Sequence, residues 1–168
     1  MDLINLDAPS DDPNNLYQIA SVTHEVVAET ASVQYDYIFK VITIGDSATG
    51  KSSMLKRLTE NKFIEGQVTI GVEFHSFTCK VNDKFVKLQI WDTAGEENFS
   101  SVTKIFYRNS HAVILCYPIN SLKSFQNVSK WLGEVKNQCS EDVLVFLSGN
   151  KADLAAQRQV TEEMVREY

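Results

Sequence analysis

A glycine-rich loop between an apolar strand and a helix constrains this chain more than any other feature. The loop, GDSATGKS at 45–52, fits the pattern G-x-x-x-x-G-K-[ST]. It follows Tyr37–Ile44, whose β-branched and aromatic residues are typical of a mostly buried strand, and it leads into a predicted helix at Lys51–Glu60. Backbone N–H groups of such a loop converge on phosphate oxygens beside the positive end of the helix dipole. The loop therefore predicts a nucleoside triphosphate site.

The rest of the sequence alternates strands and helices. Strands are predicted at Gly71–Val81 and Lys84–Trp91, joined by a tight turn at Asn82-Asp83, and fully buried strands at 112–117 and 143–147. Helical spacing at 123–139 predicts an inward face, and Thr161 is a plausible N-cap of a later helix. The inward residues are Phe125, Val128, Trp131, Leu132 and Val135. This order predicts an α/β fold with a doubly wound, mostly parallel sheet and one antiparallel hairpin strand.

The first 36 residues differ in charge from the rest of the chain. They contain seven of the 22 acidic residues and no Lys or Arg. The rest of the chain therefore has 15 acidic and 16 basic residues and is nearly neutral. We expect an acidic arm at 1–36, disordered or loosely docked, and a domain at 37–168. Within the arm, Leu16, Ile19, Val26 and Val27 could mark one short helical face that binds a partner. The nearly neutral body predicts no nucleic-acid partner.

Cysteines, histidines and apolar runs argue against several other classes. The cysteines lack disulfide or metal-site spacing, which favours thiols in a cytoplasmic protein. His24, His75 and His111 form no constellation with other ligand-type residues, so no metal site is predicted on them. The sequence has no apolar run long enough to span a membrane and no C-terminal lipidation motif, so we expect no membrane anchor in this chain.

Two further motifs follow apolar strands and should lie at the carboxyl edge of the sheet, where doubly wound folds bind ligands. In DTAG at 92–95, Asp92 can hold Mg²⁺ through water, and the Gly95 N–H can approach a γ-phosphate because no Cβ obstructs it. In NKAD at 150–153, the Asp153 carboxylate can accept two N–H bonds from guanine, a donor pair that adenine lacks. Together the motifs predict a guanine-nucleotide site.

These residues resemble the Ras superfamily, and most closely its Rab branch. The similar segments are GDSATGKSS (45–53), TIGVEF (69–74), WDTAG (91–95) and YR (107–108), and the resemblance covers 37–168. It implies a P-loop small-GTPase fold, here apparently without its last strand and helix, that binds GTP or GDP with Mg²⁺. It also implies effector, exchange-factor and activating proteins that contact two switch segments.

The resemblance also implies roles for single residues. Lys51, Gly95 and Glu96 would be catalytic, and Ser52, Thr69 and Asp92 would hold Mg²⁺. Phe74, Trp91 and Phe106 would form the exposed triad that Rab effectors contact, although core packing explains these aromatic residues equally well. The nucleotide-binding set would be Ser47, Ala48, Thr49, Gly50, Lys51, Ser52, Ser53, Phe63, Thr69, Gly95, Asn150, Lys151 and Asp153, with Phe63 edge-on to the base.

Three features depart from the family pattern. Glu96 stands where active members usually carry Gln, and an ionised Glu near the γ-phosphate can only accept hydrogen bonds, so we expect slow or altered hydrolysis. Ala48 replaces a common glycine of the loop, and we expect binding to survive this change. The segment Phe63–Thr69 is one residue shorter than usual, which leaves open whether Thr69 reaches the cation.

Two functions from different classes fit this pattern. The first is an enzyme, a GTP/GDP switch in vesicle trafficking or signalling that hydrolyses GTP slowly. The second is a scaffold or binding module that holds the nucleotide with little turnover. A third reading, an ATP-using P-loop kinase, is disfavoured by the NKAD motif at 150–153.

Overall fold

A computed structural model describes residues 24–27, 34–63, 69–95 and 105–168. In this part of the chain six strands form one sheet in the order β1-β3-β4-β2-β5-β6. The strands are β1 (His24–Val26), β2 (Tyr37–Ile44), β3 (Val72–Val81), β4 (Lys84–Thr93), β5 (Ala112–Pro118) and β6 (Leu144–Asn150). The helices are α1 (Lys51–Glu60), α2 (Leu122–Gln126), α3 (Val128–Gln138) and α4 (Glu162–Arg166), with a 3₁₀ helix at Ala152–Gln157.

The sheet is parallel over four strands and antiparallel at one side. Strands β4, β2, β5 and β6 run parallel, whereas β3 pairs antiparallel with β4 and β1 antiparallel with β3. The turn between β3 and β4 has positive φ at Asn82 (46°) and Asp83 (66°), as the sequence predicts. The doubly wound α/β fold is therefore confirmed, and the carboxyl ends of four parallel strands meet at one edge.

The sheet has an apolar core on each face. Below α1, Val41 and Ile90 of the sheet pack with Leu55 of the helix. On the opposite face α2 and α3 cover the centre of the sheet, where Val113 and Leu115 are fully buried. Most of the predicted inward face of 123–139 is buried here, namely Phe125, Val128, Trp131 and Val135, and Leu132 packs against the cluster. These two cores fix the strand ends that carry the three motifs.

The segment 123–139 forms two helices, not the single helix that its spacing predicts. Asn127 lies between α2 and α3 with near-helical φ and ψ of −72° and −11°, and its side chain is hydrogen-bonded to another part of the chain, as described below. The Thr161 N-cap is confirmed, because its side chain accepts a hydrogen bond from the Met164 N–H at 3.3 Å. None of the helices in the described ranges combines the length and the apolar character that crossing a bilayer requires.

Two strands are less buried than the sequence indicates. In β6, predicted to be fully buried, Leu144, Val145, Phe146 and Leu147 are 36–61% exposed. The reason is position, because β6 is the outermost strand of the sheet and, among the described residues, no strand pairs with its outer edge. The first three residues of β2, Tyr37, Ile38 and Phe39, are also exposed, whereas Val41 to Ile44 are buried.

The structure attaches the end of the acidic arm to the sheet. The prediction of a helical face that includes Val26 is wrong, because Val26 lies in strand β1, in register with Cys79 of β3. Asp36 accepts a hydrogen bond from the Phe85 N–H at 2.8 Å and pairs with Lys84 at 3.0 Å. These two contacts hold the pKa of the Asp36 carboxyl below its usual value, with the backbone bond the larger cause. Leu16 and Ile19 lie outside the described residues.

A matched pair of valines tests the position of the core. Val113 of β5 is fully buried, and its register partner Val145 of β6 is 42% exposed. Val113→Ala should lower the free energy of unfolding by about 2–3 kcal/mol, because it removes two buried methyl groups and leaves a cavity. Val145→Ala should lower it by less than about 1 kcal/mol. Urea unfolding of both variants measures the difference, and equal losses would contradict this core.

Candidate functional site

The phosphate loop is a tight turn that closes between β2 and α1. Ala48 has a φ of 60°, in the left-handed region that favours glycine and costs an alanine about 1 kcal/mol. The buried Thr49 hydroxyl donates to the Asp46 carbonyl at 3.0 Å. Ser47 and Ala48 at the tip are exposed, Gly50 is the N-cap of α1, and Ser53 lies in the first turn of this helix. The loop thus sets its backbone at a helix N-terminus.

Lys51 is buried inside this loop. Its ammonium donates to the carbonyls of Gly45 at 2.9 Å and Asp46 at 2.8 Å, and the residue is only 5% exposed. Desolvation lowers the pKa of Lys51, although the nearby Cys116, Asp92 and Asp46 side chains oppose this shift. An anion in the loop would favour the charged form of this amine, which is the electrostatic environment that a phosphate-binding lysine offers.

Asp46 anchors the loop to the helices on the far side of the sheet. Its carboxylate accepts hydrogen bonds from the Trp131 indole N–H and from the Asn127 side-chain amide, both at 2.8 Å. These contacts cannot be predicted from the sequence. Asp46 occupies a variable position of the loop pattern, and its two partners follow more than 80 residues later, so no local signal could have revealed them.

Gly95 lies directly against the phosphate loop. A Cβ added at this position would lie 2.3 Å from the Asp46 carbonyl carbon and from the Ser47 nitrogen. Both atoms belong to the backbone, so the clash cannot be relieved by a side-chain rotation. The DTAG segment therefore packs directly against the backbone of the loop at Asp46 and Ser47.

The NKAD segment also adjoins the phosphate loop. The Asn150 side-chain amide donates to the Thr49 carbonyl at 3.0 Å, and its oxygen accepts from the Ser148 hydroxyl at 3.0 Å. Lys151 takes a left-handed conformation with a φ of 64°, and the exposed Asp153 lies in the first turn of the 3₁₀ helix. The structure thus places Asn150 against the loop, and Lys151 and Asp153 follow it in the chain.

The three residues predicted to hold Mg²⁺ lie at this edge. The hydroxyl oxygens of Ser52 and Thr69 are 2.5 Å apart, so the shortened segment before Thr69 does not keep it away from Ser52. Asp92 is fully buried, with one carboxylate oxygen accepting from the Thr43 hydroxyl at 3.0 Å. Its other oxygen, Oδ2, has no hydrogen-bond partner among the described residues, a situation that costs about 1–3 kcal/mol. A hydrated cation would satisfy this atom, so the residues present fit Mg²⁺.

One expectation about the histidines is wrong. His75 does form a constellation with ligand-type residues, because β3 and β4 bring it beside Glu73 and Asp92. One ligand atom of each residue lies within 4.8 Å of the other two. Spacing along the chain does not reveal this group, because the antiparallel register pairs Glu73 with Asp92, 19 positions away.

The three aromatic residues predicted as a triad are in contact. The Phe74 and Trp91 ring centroids are 5.1 Å apart, and those of Trp91 and Phe106 are 5.0 Å apart. Phe74 is 51% exposed, whereas Trp91 and Phe106 are half-buried and pack against the core. The cluster therefore both packs and presents an aromatic surface to solvent.

No described contact brings Phe63, Lys151 or Asp153 to the loop. Phe63 follows α1, and its side chain is 68% exposed. Glu96, the position that decides the expected hydrolysis rate, lies outside the described residues, as do 97–104 and 64–68.

Gly95 offers a direct test of this packing. Gly95→Ala should lower the free energy of unfolding by about 1–3 kcal/mol, because the new methyl group forces backbone movement in a close-packed region. The matched control is Gly133→Ala in α3, where an added Cβ meets nothing within 4 Å and should stabilise the helix by up to about 1 kcal/mol. Thermal unfolding of both variants measures the two changes. A neutral Gly95→Ala variant would contradict the close approach.

Comparisons with known proteins agree with this geometry. The Ras family profile matches residues 40–168. The chain is 43% identical over 138 residues to the Ras-related protein Rab2BV of Beta vulgaris, covering 82% of this chain and 64% of that protein. It is 43% identical over 136 residues to RABD2c and 46% identical over 135 residues to RABA1b, both Ras-related proteins of Arabidopsis thaliana. Each match covers 80% of this chain, and 67% and 62% of those relatives.

The chain thus spans about two thirds of the length of these relatives. The matched region contains the phosphate loop, the DTAG and NKAD segments and the aromatic cluster. A family match over most of the chain and identities above 40% to Rab proteins lead to one conclusion: this chain belongs to the Ras family, in its Rab branch.

Proposed function

We propose that this chain binds GTP and GDP with Mg²⁺ and acts as a Rab-like molecular switch in vesicle trafficking. The hydrogen bond from the Asn150 amide to the Thr49 carbonyl is the main support. It joins the segment expected to read the base to the loop expected to hold the phosphates. A single ligand that occupies both the base segment and the phosphate loop must contain a base and a phosphate chain, as a nucleotide does.

Phosphate binding is assigned to the loop and Lys51. The loop backbone lies at the N-terminus of α1, where N–H groups and the helix dipole favour anions. Lys51 already lies within the loop, so its ammonium needs only to exchange backbone carbonyls for phosphate oxygens. A buried ammonium that is poorly solvated gains from an anionic partner, which supports this role.

The cation is assigned to Ser52, Thr69 and Asp92. When bound, Mg²⁺ neutralises charge on the β- and γ-phosphates. The Ser52 and Thr69 hydroxyls would be its direct protein ligands, and the free Asp92 oxygen would accept from its water. Thr43 holds the other Asp92 oxygen and so fixes the orientation of the carboxylate.

Guanine selectivity is assigned to Asp153. Its carboxylate lies in the first turn of the 3₁₀ helix and is exposed, free to accept two N–H bonds from the guanine edge. Adenine presents no such donor pair, so it would leave the carboxylate without partners. Asn150 contributes by holding the base segment against the loop.

Lys51, Gly95 and Glu96 are assigned to GTP hydrolysis, which we expect to be slow. The close packing of Gly95 on the loop supports this role, because its N–H would then lie near a γ-phosphate held by the loop. Glu96, next in sequence, takes the position of the usual Gln and can accept but not donate a hydrogen bond to the attacking water. The alternative is a module that holds the nucleotide with little turnover, and the charge of Glu96 favours it.

Partner binding is assigned to the aromatic cluster of Phe74, Trp91 and Phe106. Phe74 and Trp91 are register partners on β3 and β4, and the exposed Phe74 ring packs edge-on to Trp91. Rigid aromatic rings with one open face are frequent anchors of protein interfaces. Phe74 and Trp91 lie on strands next to Thr69 and Gly95, so a change in the nucleotide can alter the segments beside the cluster.

The proposed base contact predicts a change of nucleotide preference. Asp153→Asn should weaken GDP binding by at least about tenfold and improve binding of xanthosine diphosphate, whose extra carbonyl suits an amide donor. The matched control is Asp142→Asn, an exposed aspartate before β6, which should bind GDP like the parent. Competition against a fluorescent GDP measures the nucleotide affinities of the parent protein and of the two variants. Equal competition by ATP and GTP for the parent protein would contradict the assignment.

The proposed role of Glu96 predicts its response to activating proteins. Such a protein adds an arginine that neutralises transition-state charge, and the Glu96 carboxylate would pair with that arginine. Glu96→Gln should therefore restore stimulation by activators that rely on the enzyme's own Gln, while intrinsic turnover of the parent stays slow and detectable. Single-turnover GTP hydrolysis measures both. If parent and variant respond equally to every activator that binds them, Glu96 has no catalytic role.

A further inference from the structure

Glu73, His75 and Asp92 form a cluster of ligand-type side chains on the face of the sheet below α1. Glu73 is the register partner of Asp92, and His75 is the register partner of Ile90, a core residue of this face. Residues two apart on a strand point to the same side, so His75 lies beside the Glu73–Asp92 pair. One ligand atom from each of the three lies within 4.8 Å of the others.

Two polar atoms of this cluster are buried without a hydrogen bond. The His75 side chain is only 10% exposed, and its Nε2 has no hydrogen-bond partner in the described part of the chain. The same is true of Oδ2 of the fully buried Asp92. Glu73 Oε2 is 3.8 Å from His75 Nε2, which is too long for a hydrogen bond. Buried polar atoms normally have partners, so the free Nε2 of His75 indicates a ligand beside it. Oδ2 of Asp92 has two lone pairs, so it can contact this ligand as well as the water of the proposed Mg²⁺.

The charges of the cluster specify the kind of ligand. Two carboxylates directly opposite each other on antiparallel strands repel, and the ammonium of Lys51 is hydrogen-bonded to loop carbonyls instead of either carboxylate. A cation between Glu73 and Asp92 would relieve this repulsion. Imidazole with carboxylates suits zinc and similar transition metals, whereas Mg²⁺ prefers oxygen ligands alone.

We propose that Glu73, His75 and Asp92 form a second divalent-cation site that takes a zinc-like transition metal. Ligand atoms each about 2 Å from such an ion lie roughly 3.3 Å apart at tetrahedral angles. The present separations, 3.8 Å between Glu73 and His75 and within 4.8 Å for all three residues, must therefore shorten to close the site. Glu73 can contribute to this movement, because its side chain is 47% exposed. Water would supply the remaining ligand.

This site is distinct from the position proposed for Mg²⁺, although both use Asp92. The Mg²⁺ position is defined by the hydroxyls of Ser52 and Thr69, and the second site by the carboxylate of Glu73 and the imidazole of His75. The second site does not depend on the base or phosphate contacts. Its failure and a failure of guanine-nucleotide binding would therefore be separate results.

Cobalt binding to the protein in excess Mg²⁺ and GDP tests the proposal, and it can be measured whether or not GDP binds. We expect one Co²⁺ per chain, with weak visible bands of nitrogen and oxygen ligation and no thiolate charge-transfer band. His75→Gln and Glu73→Gln should each weaken Co²⁺ binding by at least about tenfold, as ligand loss does in metal sites. The matched control is His111→Gln, an exposed histidine that accepts a hydrogen bond from the Lys40 N–H, and it should bind Co²⁺ like the parent.

Three results would overturn the site. They are unchanged Co²⁺ affinity in His75→Gln, a thiolate band from a cysteine, and complete displacement of Co²⁺ by millimolar Mg²⁺. Far-UV circular dichroism of each variant reports whether it is folded. Because Glu73 is half exposed, Glu73→Gln keeps the test available if His75→Gln does not fold.

Discussion

Asp46 is the residue on which the geometry of this site depends most. Its carboxylate is held by Trp131 and Asn127 from the helical layer, and its carbonyl accepts from Lys51 and Thr49 inside the loop. Charge-assisted hydrogen bonds of this kind are stronger than neutral ones and fix direction as well as distance. The phosphate loop is thus attached to the helical layer as well as to its own strand. Gly95 then packs on the same backbone, so the position of the DTAG segment follows from that of Asp46.

A second connection extends this arrangement to the base segment. Asn150 ends β6 and donates to the loop at Thr49, and β6 is held in register by β5 through seven residue pairs. Because β5 and β2 are parallel neighbours, their carboxyl ends lie at one edge with the loop between them. Elements separated by about 100 positions in sequence therefore meet within hydrogen-bond distance. The site is a consequence of parallel strand order combined with three short motifs.

Much of this arrangement could be predicted from the sequence because its signals are local. The strand Tyr37–Ile44 and the helix Lys51–Glu60 have the predicted bounds, and the positive φ of Asn82 and Asp83 follows from their residue types. Contacts that depend on register or on tertiary packing could not be predicted. The anchoring of Asp46, the cluster of His75 with Asp92 and the exposure of β6 all arise from which strand lies beside which. The pairing of β1 with β3 was missed for the same reason, since three residues carry too weak a pattern to identify a strand.

The central claim is that one guanine nucleotide occupies the edge formed by the loop, the DTAG segment and the NKAD segment. The most direct measurement is the nucleotide content of the protein purified in Mg²⁺ without added nucleotide, released by denaturation and separated by ion-exchange chromatography. We predict stoichiometric GDP or GTP in the parent protein and a large loss of this nucleotide in Asp153→Ala. Adenine nucleotides in place of guanine nucleotides, or equal guanine content in both proteins, would contradict the account.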